Sequence, residues 1–354
     1  MRRSRPIERP DGRGRRSRRF PTAINIALVF GAVVLVGIVA RPDVRDAPTY
    51  ELEPKESVPA ALGDAPIPTV SRLEAAGQVD DATSAVRWPA ASDGEVVRLA
   101  AAGDVGTGGT EEYDTAAAMD AIEGSVEYSA LLLLGDNVYE DGDPSKVDEV
   151  VFAPFAGVLD GGTKLLPVLG NHDQDSGFGD AQAAALGMPD RWYSTSIGDV
   201  LIVSLDSTRP DDPDQLDWLT SELAGSSARW TIVEMHHPPY SGGAHGSSLD
   251  VRDAFSPLFE EYGVQLVLSG HDHDFQRSQI INGVTYIVSG AAAKLRDAHR
   301  ADFAEVAFST YHFVDISVGA DSIDVQAVDQ QGQVLDRVSI GGPHESPGGR
   351  SPSD

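Results

Sequence analysis

The sequence predicts an α/β domain with a two-sheet core, preceded by one N-terminal transmembrane helix. Three observations predict it. Short apolar runs alternate with helical patterns from about residue 95 to 340. Polar, glycine-flanked clusters follow several of those runs. An uncharged apolar segment separates a basic head from an acidic remainder.

Residues 1–20 hold nine arginines and two acids and read as a cytoplasmic head. From Ala23 to Ala40 the chain carries no charge. Eighteen such residues span roughly 27 Å as a helix, close to the thickness of a bilayer's hydrocarbon core. Basic before and acidic after, residues 21–40 read as a transmembrane helix or signal anchor, with the body outside the cytoplasm. Secretion after cleavage is the alternative, because Ile38-Val39-Ala40 is a weak cleavage site.

Residues 41–94, rich in proline, alanine and acids, read as a linker with a short helix near Ser71–Ala76. Residues 341–354 read by composition as a disordered tail. Beyond residue 20, 18 basic residues face 53 acidic ones, so the body should repel nucleic acid and anionic lipid. With no cysteine, neither disulfides nor thiolate metal sites can form, and any metal must be held by oxygen and imidazole. Oligomeric state is not legible.

Within 95–340, strands are expected at Val96–Ala102, Ala130–Leu134, Leu165–Leu169, Val200–Leu205, Trp230–Met235 and Val264–Leu268. Helices are expected near Asp114–Ile122, Lys146–Phe155, Asp214–Leu223 and Val251–Tyr262. Asn282-Gly283 signals a hairpin turn between Gln279–Ile281 and Val284–Val288. Alternating strands follow at His312–Val318, Ser322–Val328 and Val334–Ile340.

Asp104, Asp136, Asn171, His236 and His271 each stand just past the carboxyl end of an expected strand. Ligands bind at that edge of α/β sheets, so five distant clusters can meet in one cleft. The clusters read Gly103-Asp104-Val105-Gly106, Gly135-Asp136-Asn137-Val138-Tyr139, Gly170-Asn171-His172-Asp173, Val233-Glu234-Met235-His236 and Gly270-His271-Asp272-His273. They carry enough hard oxygen and imidazole donors for two adjacent metal ions, which argues for phosphate-ester hydrolysis.

In order, these are GDVG, GDNVY, GNHD, VEMH and GHDH. The set resembles the calcineurin-like metallophosphoesterases, and among them the purple acid phosphatases of the small, single-domain, tartrate-resistant type. The resemblance implies a four-layer αββα sandwich of two packed mixed sheets. It implies one metal on Asp104, Asp136, Tyr139 and His273 and a second on Asp136, Asn171, His236 and His271. It further implies Fe(III) paired with Fe(II), Zn(II) or Mn(II). His172 and His245 would face the substrate as catalytic histidines, able to protonate a leaving oxygen.

Gly106 stands where most of the superfamily has a metal-binding histidine, so Tyr139 is needed to complete the first site. Residues 41–94 are too few for the β-sandwich domain that plant-type members carry. Asp173 and Asp272 read as carboxylates that hydrogen-bond and orient a neighbouring histidine. His237 reads as structural, and Arg277 as a phosphate contact or a structural salt bridge.

The expected function is hydrolysis of phosphate monoesters by a hydroxide held on the metals, in an exported, membrane-tethered protein. The alternative is a diesterase or a nucleotide or pyrophosphate hydrolase, with specificity set by loops 173–190 and 241–249. A remoter alternative is a non-catalytic surface binding module.

Overall fold

The computed structural model describes residues 96–123 and 127–341. The apolar segment 23–40, the 41–94 linker and the tail beyond 341 lie outside the described residues. Among those described, no helix is long and apolar enough to cross a membrane.

Among the described residues, thirteen strands form two sheets. The first contains β1 (Val97–Ala102), β2 (Ala130–Leu133), β3 (Lys164–Pro167), β11 (His312–Val318), β12 (Ser322–Asp329) and β13 (Val334–Gly341), in the order β13-β12-β11-β1-β2-β3. The second contains β4 (Tyr193–Ile197), β5 (Val200–Ser204), β6 (Trp230–Met235), β7 (Leu266–Ser269), β8 (Phe275–Ser278), β9 (Thr285–Ser289) and β10 (Ala304–Phe308), in the order β10-β8-β9-β7-β6-β5-β4. Both sheets are mixed. β1, β2 and β3 run parallel, as do β5, β6, β7 and β9, and the remaining pairings are antiparallel.

The six helices are α1 (Thr110–Glu123), α2 (Ala156–Asp160), α3 (Asn171–Gln174), α4 (Gly179–Ala185), α5 (Pro213–Gly225) and α6 (Leu249–Glu261). Strand β6 shows how the layers stack, because successive side chains point to opposite faces. Trp230 and Ile232 join a core shared with Leu99 and Leu131 of the first sheet and with Met119 of α1. Val233 and Met235 join a second core with Leu219 of α5 and Phe255 and Phe259 of α6. The two sheets therefore face each other, with helices on their outer faces, as the α/β two-sheet expectation requires.

Three expectations need correction. The helix expected at Lys146–Phe155 is broken into a 3-10 turn at Pro144–Lys146, a π-helical turn at Asp148–Phe152, and α2. Pro144 starts the first piece under an Asp143 cap, with Ser145 N–H donating to Oδ1 at 2.9 Å. Pro154 lacks an N–H and crowds the carbonyl four residues back, so one α-helix cannot pass through it.

Strand β8 lies at Phe275–Ser278, not Gln279–Ile281, which keeps a single bridge between Ile281 and Val284. Its polar residues concealed it: Arg277 is buried in ion pairs with Asp336 (2.6 Å) and Glu305 (2.7 Å). Arg277 is thereby a structural residue. Strands β4 and β10 were not expected at all. They are the two edges of the second sheet, half-buried and without the continuous apolar runs of central strands.

Candidate dinuclear metal centre

The parallel strands of both sheets deliver the polar clusters to one edge. Asp104 follows β1, Asp136 follows β2, Asn171 follows β3, His236 follows β6, and His271 and His273 follow β7. Three of these residues adopt left-handed backbone: Asp104 at φ 59°, Asp136 at φ 53° and His271 at φ 72°. Such conformations are costly for residues with a Cβ and gather where geometry serves function.

Glycines make room for the convergence. A Cβ at Gly170 would lie 2.1 Å from Asp136 Oδ1, so no other residue fits before Asn171. At Gly106 a Cβ would lie 2.1 Å from the Asn137 carbonyl oxygen. No histidine can stand there. Tyr139 reaches the site instead, and its backbone N–H donates to the Gly106 carbonyl at 2.8 Å.

Two donor sets result. In the first, Tyr139 OH lies 2.9 Å from both Asp104 Oδ1 and Asp136 Oδ2. His273 Nε2 lies 3.4 Å from Tyr139 OH and 3.2 Å from Asp104 Oδ1. In the second, His236 Nε2 lies 3.1 Å from Asn171 Oδ1, 3.2 Å from His271 Nδ1 and 3.4 Å from Asp136 Oδ1. Asp136 thus presents one oxygen to each set. Seven expected ligand residues come together as two groups with a shared carboxylate.

The chemistry of these donors shows that cations fit between them. His236 Nδ1 lies 2.8 Å from the Leu134 carbonyl, which can only accept, so Nδ1 carries the proton and Nε2 presents a bare lone pair. That lone pair faces the Asn171 amide oxygen, another acceptor. Two acceptors at 3.1 Å repel unless a positive charge lies between them. The separations of 2.9–3.4 Å also match the edges of a coordination polyhedron, which are about 3 Å for bonds of about 2.1 Å.

Protonation equilibria point the same way. Burial, then the Asp136 charge, raises Asp104 well above the ordinary carboxyl range. Burial, then both carboxylates, raises Tyr139. Burial pushes His271 down to about 2 and His273 down to about 4, and lowers His236 strongly. Without a cation the site disfavours charge of either sign. Among the described residues, the ion-pair partners of Asp104 and Asp136 are His273 and His236, with no lysine or arginine.

Neighbouring residues divide into braces and groups at the mouth. Asp173 is fully buried, and it touches backbone where a histidine partner was expected. Its carboxylate accepts from the N–H groups of Asn137 (3.0 Å), Val138 (3.1 Å) and Gly170 (2.9 Å), and from Asn137 Nδ2 (2.8 Å). It locks the loop after β2 to the loop after β3, which carry Asp136 and Asn171.

Asp272 also departs from the expectation. Oδ1 accepts the backbone N–H of His245 at 2.8 Å and Oδ2 accepts Ser241 Oγ–H, so it ties down the loop bearing His245. His237 was read as structural and does bond Ser207 (Nδ1 to Oγ, 3.0 Å). The fold nevertheless brings it within 4.8 Å, donor to donor, of His236 and His271.

The two expected catalytic histidines flank the donor sets. His172 N–H donates to Asp136 Oδ1 at 2.9 Å, and its ring meets Tyr139 edge-on at 4.7 Å. Its Nδ1 lies 2.6 Å from the Glu140 carbonyl and therefore carries a proton. The His245 ring lies 4.3 Å from that of His271, and Arg296 Nη1 donates to its Nε2. Burial, then the Arg296 charge, lowers the His245 pKa. Sequence reasoning missed Lys294 and Arg296, which no motif marks. A cavity of about 900 Å³ lies elsewhere, beside Tyr262, Ile280 and Val338, and none of the donors lines it.

An α/β sandwich that brings two such donor sets to the carboxyl ends of its parallel strands defines a metallophosphoesterase fold. The chain belongs to the calcineurin-like phosphoesterase family, whose profile matches residues 97–275. It is 32% identical over 197 residues to tartrate-resistant acid phosphatase type 5 of Oryctolagus cuniculus, an alignment covering 46% of this chain and 60% of that protein. It is 28% identical to purple acid phosphatase 17 of Arabidopsis thaliana, covering 58% of this chain and 71% of that one. The chain thus spans less than two thirds of the rabbit protein. A purple acid phosphatase from yellow lupin (Lupinus luteus) seeds shares the fold, with a TM-score of 0.63 at 18% identity, over 72% of this chain and 55% of that one.

Proposed function

We propose that this protein is an exported, membrane-tethered phosphohydrolase that cleaves phosphate monoesters at a dinuclear metal centre. The observation that carries the proposal is the paired donor set around Asp136, in which His236 Nε2 and Asn171 Oδ1 face each other as acceptors at 3.1 Å. Asp104, Asp136, Tyr139 and His273 would hold one ion, and Asp136, Asn171, His236 and His271 would hold the other. Carboxylate and phenolate suit Fe(III), whereas two imidazoles and an amide suit Fe(II), Zn(II) or Mn(II). When bound, the pair supplies an acidified water and polarises the phosphoryl oxygens.

The remaining steps belong to the protein. The His172 amide on Asp136 Oδ1 couples this histidine to the shared carboxylate. Its Nδ1 proton is engaged by the Glu140 carbonyl, which fixes the ring; Nε2 can then give a proton to the leaving oxygen only in the imidazolium form, in which both ring nitrogens are protonated. His245, held neutral beside Arg296, acts as a hydrogen-bond partner of the substrate. Asp173 and Asp272 keep the loops in register by holding backbone amides.

Export rests on the basic head, the apolar segment 23–40 and the acidic body, a pattern that supports a cytoplasmic N-terminus. One experiment tests both halves: fractionate cells expressing the full chain and assay a monoester and a matched diester. Activity is expected in the membrane pellet, released by detergent, and faster on the monoester. Activity confined to the soluble fraction contradicts the anchor, faster turnover of the diester contradicts the ester class, and no turnover of either ester contradicts the enzyme.

A further inference from the structure

Arg296 lies between β9 and β10 at the mouth of the site. Its backbone is fixed at both ends. The N–H donates to the His273 carbonyl at 2.9 Å, and the carbonyl accepts from Ser309 Oγ at 2.6 Å. The side chain is exposed, and one of its five N–H groups is engaged by His245 Nε2.

No carboxylate within the described residues forms an ion pair with it. By contrast, Arg98, Arg191, Arg209, Arg229 and Arg277 each pair with at least one. Arg252, Arg300 and Arg337 also form no such ion pair, but they donate to the carbonyl oxygens of Pro239 and Ala304 and to Gln326 Oε1, whereas Arg296 donates to an imidazole nitrogen. Lys294 stands beside Arg296, with Nζ 3.3 Å from the Tyr139 ring centroid. Its carboxylate partner, Glu140 at 3.4 Å, is 76% exposed, so solvent screens that pair.

The position follows from one ring contact and one hydrogen bond. His271 belongs to the second donor set, the His245 ring lies 4.3 Å from its ring, and His245 Nε2 accepts from the Arg296 guanidinium. The cationic group is therefore linked through one imidazole to the donors that would hold the second metal ion, beside which the transferred phosphoryl group would lie. A guanidinium at that distance meets what is attached to that group, and its forked donors match phosphate oxygens.

We infer that Arg296, with Lys294 beside it, forms a second anion subsite for substrates whose leaving group is itself a phosphate, such as inorganic diphosphate or a nucleoside diphosphate. The inference rests on the proposed phosphohydrolase reading. In the reaction, water adds its oxygen to the transferred phosphorus as the bond from that phosphorus to the bridging oxygen breaks. The proton from water ends on the departing phosphate, so diphosphate and water give two orthophosphates. Arg296 binds the charge that appears on the departing group.

The test uses the full chain, metal-loaded, as wild type, Arg296→Gln and Arg296→Lys. Arg296→Gln is expected to lower kcat/KM for diphosphate at least about tenfold more than for para-nitrophenyl phosphate, in line with the loss of a charge-assisted hydrogen bond. Arg296→Lys is expected to recover part of the difference. Equal losses on both substrates, or no loss on diphosphate, overturn the subsite. Calorimetry with methylenediphosphonate and orthophosphate separates this from the parent reading. If the wild type turns over neither substrate, the phosphohydrolase reading fails. The subsite then stands only if Arg296→Gln weakens methylenediphosphonate about tenfold more than orthophosphate, and falls if it does not.

Discussion

Asp136→Asn is expected to lower phosphoester turnover by about a thousandfold or more and to leave the protein with fewer than one metal ion per chain. The two carboxylate oxygens of Asp136 serve different donor sets: Oδ2 lies 2.9 Å from Tyr139 OH, and Oδ1 lies 3.4 Å from His236 Nε2. An amide keeps the shape but turns one of those oxygens into an NH₂ donor facing a cation. Outer partners of metal ligands already cost 10–100-fold when lost, and a ligand common to two ions should cost more. Elemental analysis and steady-state assays on the same preparation check this. A variant with two ions and wild-type turnover would remove Asp136 from the centre of the account.

His172→Ala is expected to behave differently, losing turnover by about 10²–10⁴-fold while retaining both ions. Its imidazole belongs to neither donor set. The backbone N–H that holds Asp136 Oδ1 at 2.9 Å survives the substitution. Metal content unchanged with turnover largely lost is the signature of a group acting on substrate. If turnover persists within about threefold of wild type, the proton donor lies elsewhere.

The centre was legible in the sequence because its ligands come in short motifs at strand ends, each flanked by a residue type with a steric reason to be there. Gly106 illustrates this: a Cβ would meet the Asn137 carbonyl at 2.1 Å, so the absence of a histidine is built into the backbone, and Tyr139 takes up the vacancy. The two-sheet core followed from apolar runs, and the central strands fell close to where expected.

What stayed hidden depends on contacts between segments far apart in the chain. Asp173 adjoins His172 in sequence, yet its partners are the amides of Asn137, Val138 and Gly170 across the loop junction. Arg296 reaches the site only because the segment after β9 folds back over β7's histidines, which no local pattern encodes. The edge strands β4 and β10 bury one face at most and lack a continuous apolar run. β8 is buried but polar, its Arg277 neutralised by Asp336 and Glu305.

The most direct measurement is elemental analysis of the purified full chain, made on a sample whose phosphoester turnover is also recorded. Two transition-metal ions per chain are expected, at least one of them iron, with turnover lost on chelation and restored on reloading. Full turnover in a sample with no bound transition metal would contradict the dinuclear metal centre.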